Sequence, residues 1–467
     1  MIDLLTYNTD SYHLCSFPTF AMNKYNKNPF IVLIHIMIGI ALLLGGMWIV
    51  NLFVDGILSS FIDIIPMVVA LYYIASSVGI NRMIGKKLVY RWLLLILVLA
   101  VFSLSFSCFF VFNDYLNGIS NDVTTHEEHA WGYESMASIA ESIKIGDLNQ
   151  TLESLHLGKY QTLFVVYSLM FVFGGTVVTH ICIWNSFFVG LCCVLLLLIA
   201  GRENYLSENN KQALFLITAL FPIFHCGFIY HRDIIGVAFV VLGFYLFIST
   251  YKSAIASIVS FPLYSLLFYH FRHPYIIVAF LLFLFGLVSR KNKGLITLFS
   301  FVVLLFAVVY FLYNENLTSF FSEDLYFDAY GSQYHGSLIG TILQAIVGYF
   351  PWTQLITDKH WTYHVFICLQ QCMQLSIIFF FINEYQNKLG DILKKPVPLM
   401  GVLLFSTALI SAGHVAYFSV AFPFLAICIN NLNIRKVYSV FIIVFSFFFI
   451  TSIVYNMLGY TGSGIIN

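Results

Sequence analysis

The sequence predicts an all-α fold, a polytopic transmembrane helical bundle, and its composition and its long apolar runs carry that prediction. Only 9% of the 467 residues are charged and 60% are hydrophobic, whereas about a quarter of a soluble chain is charged. The mean hydropathy is +0.88. Runs such as 92–112 and 295–313 lack the strict alternation of barrel strands. Because lipid offers no partners to backbone N–H and C=O groups, these runs are expected to be helices.

Hydropathy divides the chain into crossings and two long loops within a single membrane domain, 1–467. We count about thirteen crossings. They lie near 30–54, 57–80, 92–113, 176–200, 211–230, 234–251, 253–270, 274–290, 294–313, 362–384, 397–412, 417–431 and 437–457. Residues 1–29 form the expected cytoplasmic N-terminus, and 113–176 and 314–361 form the first and second outer loops, each carrying amphipathic helices.

The Lys and Arg residues predict the orientation. They cluster at Arg82–Arg91, Lys252, Arg290–Lys293, Lys388–Lys395 and Arg435–Lys436. A cytoplasmic N-terminus places every cluster inside, as positively charged loops prefer. This assignment requires residues 160–174 to form an outer-face helix that lies on or dips into the membrane without crossing it.

Several function classes are excluded on composition and motifs. The formal net charge is zero, so no basic field exists for nucleic acid and no nucleic-acid partner is expected. No phosphate-binding or dinucleotide glycine motif occurs, so we expect no cofactor. The run His126-Glu127-Glu128-His129 lacks the helical spacing of two zinc-binding histidines, so we expect no metal site.

Two arginines are predicted at the outer ends of neighbouring hairpins. Arg232 and Asp233 follow a Pro-containing crossing, and Arg272 lies in the next outer turn. Each arginine alone is explained equally well by anchoring to lipid headgroups. Together they can clamp a phosphate or pyrophosphate, since guanidinium binds phosphate oxygens in a bidentate manner. His231 and Asp233 are candidate catalytic residues beside this clamp, and His270, His273 and Tyr275 are candidate substrate contacts of the same site.

The acidic first outer loop supplies candidates for a general base. Abstracting a proton from a sugar hydroxyl requires a carboxylate or an imidazole within hydrogen-bonding distance. Asp114 is the first candidate because it directly follows a crossing, and Glu127 and Glu128 come next. The alternative for each acid is an ordinary solvated loop charge. Trp352, His414 and Tyr417 lie in further outer turns and are candidate glycan contacts.

The order and sidedness of these motifs resemble the Wzy-like and EpsG-like oligosaccharide repeat-unit polymerases, which are related to the lipid-dependent GT-C membrane glycosyltransferases. The residues that carry the likeness are the acidic loop from Asp114, the helix ending in Phe173-Gly174, Pro222 with Arg232-Asp233, Arg272–Tyr275, Phe350–Trp352 and Gly413–Tyr417. The likeness departs at Ala416, where the family usually has arginine, so a third arginine contact is expected only if His414 substitutes.

The resemblance implies a GT-C-like helical fold and polymerisation of undecaprenyl-pyrophosphate-linked repeat units for a bacterial O-antigen or capsule. This chemistry takes place on the outer face of the bacterial cytoplasmic (inner) membrane. Arg232 and Arg272 would neutralise the leaving pyrophosphate, and Asp114 or a histidine would accept the proton. The implied partners are the lipid-linked oligosaccharide and membrane lipids, with a chain-length regulator as a further candidate.

Two alternatives stay open at this point. A GT-C glycosyltransferase would move one sugar from a polyprenyl-phosphate donor. A glycolipid or solute transporter would show paired broken helices and charges near the bilayer midplane. The sequence shows neither transporter feature.

Overall fold

The computed structural model describes residues 28–106, 108, 127–155, 161–177, 179–206, 233–271, 275–289, 361–392, 394–411, 420–429 and 434–457. Within these ranges the regular secondary structure is helical, which confirms the predicted all-α class. Five helices there are long and apolar enough to cross a membrane, so the chain is a helical membrane protein. The count of thirteen crossings, residues 113–126 and 156–160 of the first loop and residues 314–360 of the second depend on other residues and stay predictions.

The helices are numbered in chain order. They are α1 Pro29–Asn51, α2 Ile57–Ile62, α3 Ile64–Val78, α4 Ile80–Met83, α5 Lys86–Phe106, α6 Glu127–Ile145, α7 Leu148–Ser154, α8 Gln161–Gly174, α9 His180–Arg202, α10 Asp233–Thr250, α11 Ala254–Phe271, α12 Tyr275–Ser289, α13 Trp361–Tyr385, α14 Leu389–Ile392, α15 Pro396–Ser411, α16 Phe422–Ile427 and α17 Ile434–Met457.

Local sequence explains where the first helices begin, break and end. The side chain of Asn28 accepts a hydrogen bond from the Phe30 N–H, and Pro29 occupies the first helical position of α1. The apolar run 57–78 breaks between α2 and α3 because Pro66 lacks an N–H and its ring crowds the carbonyl four residues earlier. Gly79 ends α3 in the left-handed conformation, with φ of 91°.

The helix α9 lies at the centre of the bundle. All of its side chains from His180 to Ala200 are buried, whereas only about a third to under a half of each other long span is buried. A helix that is apolar all round belongs in a protein interior. Helices α3, α5, α8, α10 and α16 pack around it.

Contacts along α9 define the two ends of the bundle. We call the end where α1 and α5 finish and α9 begins the Asp63 end. There the Cys182 thiol on α9 lies 4.0 Å from the carbonyl of Ser103 on α5. We call the opposite end the Arg202 end, where Arg202 Nη2 donates to the Ser249 carbonyl over 3.1 Å.

The helices of the second half of the described chain also begin and end at these two ends of the bundle. At the Asp63 end, a side chain at Gly236 of α10 would meet the ring of Phe271 at the end of α11, and that ring lies 4.8 Å from the ring of Tyr275 at the start of α12. At the Arg202 end, the Tyr385 hydroxyl at the end of α13 donates to the Cys428 carbonyl over 3.4 Å. Successive long helices from α10 to α12 therefore alternate in direction.

Helix α8 covers the segment predicted to lie on or dip into the membrane, and it packs along α9. Its last residue, Gly174, lies beside Met47 and His180 at the Asp63 end. Further down, the Tyr167 hydroxyl donates to Asn185 Oδ1 over 2.6 Å, and both side chains are buried. The 14-residue helix is about 21 Å long, which is less than the roughly 30 Å hydrocarbon core.

Candidate functional site

The Asp63 end contains a buried aspartate–histidine pair. His180 Nε2 lies 3.0 Å from Asp63 Oδ2, and both side chains are 0% exposed. Asp63 occupies the joint between α2 and α3, and His180 is the first residue of α9. Ionisable side chains inside a membrane span are costly unless they are paired, and they commonly mark functional sites.

The hydrogen bonds around His180 indicate where its protons lie. Nδ1 is 3.0 Å from the carbonyl of Gly175, which only accepts, so Nδ1 carries a hydrogen. The hydroxyl of Ser59 donates to the Gly56 carbonyl over 2.6 Å and presents lone pairs to Nε2 at 3.2 Å. Nε2 faces the Ser59 hydroxyl and the Asp63 carboxyl. An imidazolium beside a carboxylate here would form a pair with no net charge.

A second polar contact joins the same two segments. The hydroxyls of Ser60 and Thr179 lie 2.6 Å apart and are buried. Neither carboxylate oxygen of Asp63 meets hydrogen-bond geometry with a partner among the described residues, so its contact with His180 is an ion pair by distance alone. The start of α9 is thus tied to the α2–α3 joint by one ion pair and one hydroxyl pair, and the ion pair is only partly satisfied.

Three sequence-predicted site residues also lie at the Asp63 end. Asp233 begins α10, His270 lies in the last turn of α11, and Tyr275 begins α12. The side chain of His270 is half-buried and its ring contacts that of Tyr269, with centroids 5.7 Å apart. Tyr275 is buried against Phe271. For Asp233 the structure describes the backbone alone.

The structure describes less of the remaining predicted site residues. Glu127 and Glu128 begin α6, and the structure describes their backbone alone. The other predicted site residues lie outside the described residues: Asp114, His231, Arg232, Arg272, His273, Trp352, His414 and Tyr417. Their roles stay predictions. In the described part of the chain, no group of three or more His, Cys, Asp or Glu side chains could hold a metal ion.

The Arg202 end has a different chemistry. Glu203, directly after α9, lies beside Arg202 and Lys252, and its burial raises the pKa of its carboxyl although the two cations oppose that shift. Lys395 lies 6.0 Å from the centre of the Tyr205 ring. Three of the basic clusters lie on or beside elements that meet at this end: Arg82–Arg91, Lys252 and Lys388–Lys395.

The sequence-based reasoning missed the Asp63–His180 pair. Each residue interrupts an apolar run, Asp63 three residues before Pro66 and His180 near the start of the predicted 176–200 crossing. A carboxylate and an imidazole at the same end of two predicted crossings are a usable signal, because each needs a partner in the membrane.

Comparison with protein-family models, with curated proteins and with solved structures finds no match to this chain. Any assignment of function therefore depends on the residues and on their placement.

Proposed function

We propose that this chain is a membrane glycosyltransferase of the oligosaccharide repeat-unit polymerase type. It would join undecaprenyl-pyrophosphate-linked repeat units during synthesis of a bacterial surface polysaccharide. One observation carries the proposal. The helix ends flanking the predicted pyrophosphate site, at Asp233, His270 and Tyr275, lie at the same end of the bundle, which is opposite the basic end.

The distribution of charge supports an orientation. Arg82, Lys86, Lys87 and Arg91 belong to α4 and α5 near the Arg202 end, where Met83 lies against Gly201. Positively charged segments prefer the cytoplasm. The Arg202 end is then cytoplasmic, and the Asp63 end faces the outside of the inner membrane, where lipid-linked repeat units are joined.

The proposed chemistry assigns a role to each group of residues. Arg232 and Arg272 neutralise the pyrophosphate as it leaves, and the carboxylate of Asp114 accepts the proton of the attacking hydroxyl. The glycosidic bond forms at the carbon that loses the lipid pyrophosphate. The lipid tails reach the site between helices.

Two substitutions test these roles in cells that make the polysaccharide. Arg232→Lys should impair polymer formation nearly as much as Arg232→Ala, because an ammonium group cannot reproduce bidentate contact. Asp114→Asn should abolish polymer formation while the protein stays in the membrane. Normal glycan chain lengths in the lysine variant would disprove the arginine clamp. Full activity in the asparagine variant would move the base to Glu127, Glu128 or a histidine.

The buried Asp63–His180 pair favours a second candidate function, proton-coupled transport of a glycolipid or solute. Proton-transferring pairs of this kind occur inside transporters. The span that contains Asp63 begins at Ile57. Asp63 lies six residues further on, about 9 Å along the helix, and so closer to the end of the span than to the bilayer midplane. A transporter would move labelled substrate across a vesicle membrane without making a new glycosidic bond, and Asp63→Asn would abolish that movement.

A further inference from the structure

A cleft at the Asp63 end lies between α6, α7 and the turn that joins α8 to α9. Its volume is about 530 Å³, which falls within the range of small-molecule sites. Its polar lining comprises Ser138, Glu141 and Ser142 of α6, Thr151 of α7 and Thr176 of the turn, and Ile145 adds an apolar side chain. The sequence-based site prediction includes none of these residues.

Hydrogen bonds within α6 and α7 leave the cleft rich in acceptors. The Ser142 hydroxyl donates to the Ile139 carbonyl over 2.8 Å, and the Thr151 hydroxyl donates to the Asp147 carbonyl over 3.2 Å. Each hydroxyl hydrogen is thus committed and the oxygen lone pairs remain. The Glu141 carboxylate adds acceptors, although Oε1 already binds Lys144 at 3.0 Å. A ligand with several hydroxyl groups suits this lining, because it can donate to these acceptors and also accept from the Ser138 hydroxyl.

The apolar part of the lining narrows the class of ligand. The side chain of Ile145 is 75% exposed and presents an apolar surface at the edge of the cleft. A saccharide presents hydroxyl donors at its edge and C–H groups on its faces, so one molecule satisfies both features. A phosphate or a carboxylate brings acceptors only and would be repelled by Glu141.

The turn that contributes Thr176 to the cleft is held by buried contacts. Thr176 follows Gly175, whose φ of +82° is left-handed and whose carbonyl accepts from His180 Nδ1 over 3.0 Å. His180 is in turn fixed by Asp63. Sites held by buried second contacts keep their geometry better than free loops. Asp63 and His180 therefore hold the turn that carries Thr176, and neither of them lines the cleft.

We propose that this cleft binds the saccharide portion of the lipid-linked substrate, with Glu141 as its principal hydrogen-bond acceptor. The proposal rests on the proposed polymerase function and names a glycan-binding site for it. In this arrangement the cleft holds sugars of the repeat unit while the pyrophosphate reaches the arginine site predicted near α10 and α11.

A labelling experiment tests the cleft without requiring turnover. Ser138→Cys in the full-length membrane protein is labelled with a membrane-impermeant maleimide, and labelling is scored above that of the unsubstituted protein. The added ligand is the oligosaccharide released by mild acid from the producing strain's own lipid-linked repeat unit. Labelling should slow about ten-fold when the oligosaccharide is present at about ten times its Kd. Glu134→Cys, exposed on α6 but outside the cleft, should be unaffected.

A second variant tests the role of the carboxylate. Glu141→Gln in the Ser138→Cys background should raise the concentration for half-protection about ten-fold or more, because a charge-assisted hydrogen bond is lost. Glu134→Gln is the matched control and should not change it. Failure of the oligosaccharide to protect Cys at position 138, or equal weakening by both glutamine variants, would overturn the proposal.

Parallel analysis of glycan chain length separates this proposal from the proposed function. Protection without any polymer formation would leave the cleft in place and refute the polymerase. Polymer formation without protection would refute the cleft and leave the polymerase in place.

Discussion

Removing His180 should destabilise the protein more than removing its partner Asp63. In His180→Gln, the carboxylate of Asp63 stays buried and loses its ionisable partner. In Asp63→Asn, the imidazole can become neutral and accept a hydrogen bond from the new amide at Nε2. The double variant leaves no ionisable side chain in this pair. The expected order of stability is therefore asymmetric, with the double variant more stable than His180→Gln alone.

The size of the effect follows from the geometry. Two unit charges 3.0 Å apart attract by about 5 kcal/mol at an effective dielectric constant of about 20, and breaking a buried pair by deleting one partner typically costs about 3–5 kcal/mol. Asp63→Asn should cost about 1 kcal/mol, as expected for exchange of one hydrogen bond. Adding Asp63→Asn to His180→Gln should recover about 2–4 kcal/mol.

The assay is a double-mutant cycle on the purified protein in mixed micelles, with the free energy of unfolding measured by titration with a denaturing detergent. His35→Gln serves as the control, because His35 is part-buried and bonds the Tyr73 hydroxyl at 3.1 Å without any opposite charge. It should cost about 1 kcal/mol or less. Additive effects of the two substitutions, or a loss in His180→Gln no larger than in His35→Gln, would refute the buried ion pair.

Three further predictions concern the backbone, the pH response and the orientation. Gly175→Ala should destabilise by roughly 1–2 kcal/mol because φ is +82°, while Gly45→Ala, whose new Cβ meets nothing within 4 Å, should be neutral or stabilising; thermal unfolding in detergent measures both, and equal shifts would contradict the strain. Burial raises the pKa of Glu203 above its ordinary value of 4.5. The folded protein therefore loses stability as the pH rises from 4.5 through the raised pKa, because the buried carboxyl becomes ionised. Glu203→Gln should therefore unfold at a higher temperature than wild type at pH 7.5 and gain nothing below pH 4.5; a lower unfolding temperature at pH 7.5 would show that its ion pairs dominate. In intact cells, an impermeant maleimide should label Asp55→Cys and spare Lys394→Cys, and the reverse pattern would invert the orientation.

The helical class of this protein could be predicted because it depends on charge content and hydropathy, which can be read directly from the sequence. Few charges and long apolar runs leave no alternative to helices in lipid. Helix ends were also predictable within a few residues, as for α1, expected at 30–54 and observed at Pro29–Asn51.

The packing of α8 was harder to predict. Its residues alone allow a helix that lies on the membrane as well as one that dips into it. The structure adds a contact with another helix, the hydrogen bond from Tyr167 to Asn185, which holds α8 against α9. The sequence gives no signal that these two side chains meet, because buried polar pairs form between helices whose relative rotation hydropathy does not determine.

The Asp63–His180 network escaped prediction for a related reason. Ser59 and His180 are 121 residues apart in the chain, and the long first loop separates their helices. Only the packing of α2 and α3 on α9 brings them together. The acidic residues of the first loop and the arginines are close together in the sequence and could be predicted from it. Asp63 and His180 are close together only in the folded protein.

Reconstitution of the purified protein with lipid-linked repeat units tests the central claim most directly. Incubation of proteoliposomes with undecaprenyl-pyrophosphate-linked repeat units alone, followed by electrophoresis of the released glycans, should give a ladder whose steps are one whole repeat unit. A product extended by one sugar, formed only when a polyprenyl-phosphate sugar is added, would indicate a single-sugar transferase. Unchanged repeat units carried to the other leaflet would indicate a transporter, and either result would contradict the polymerase.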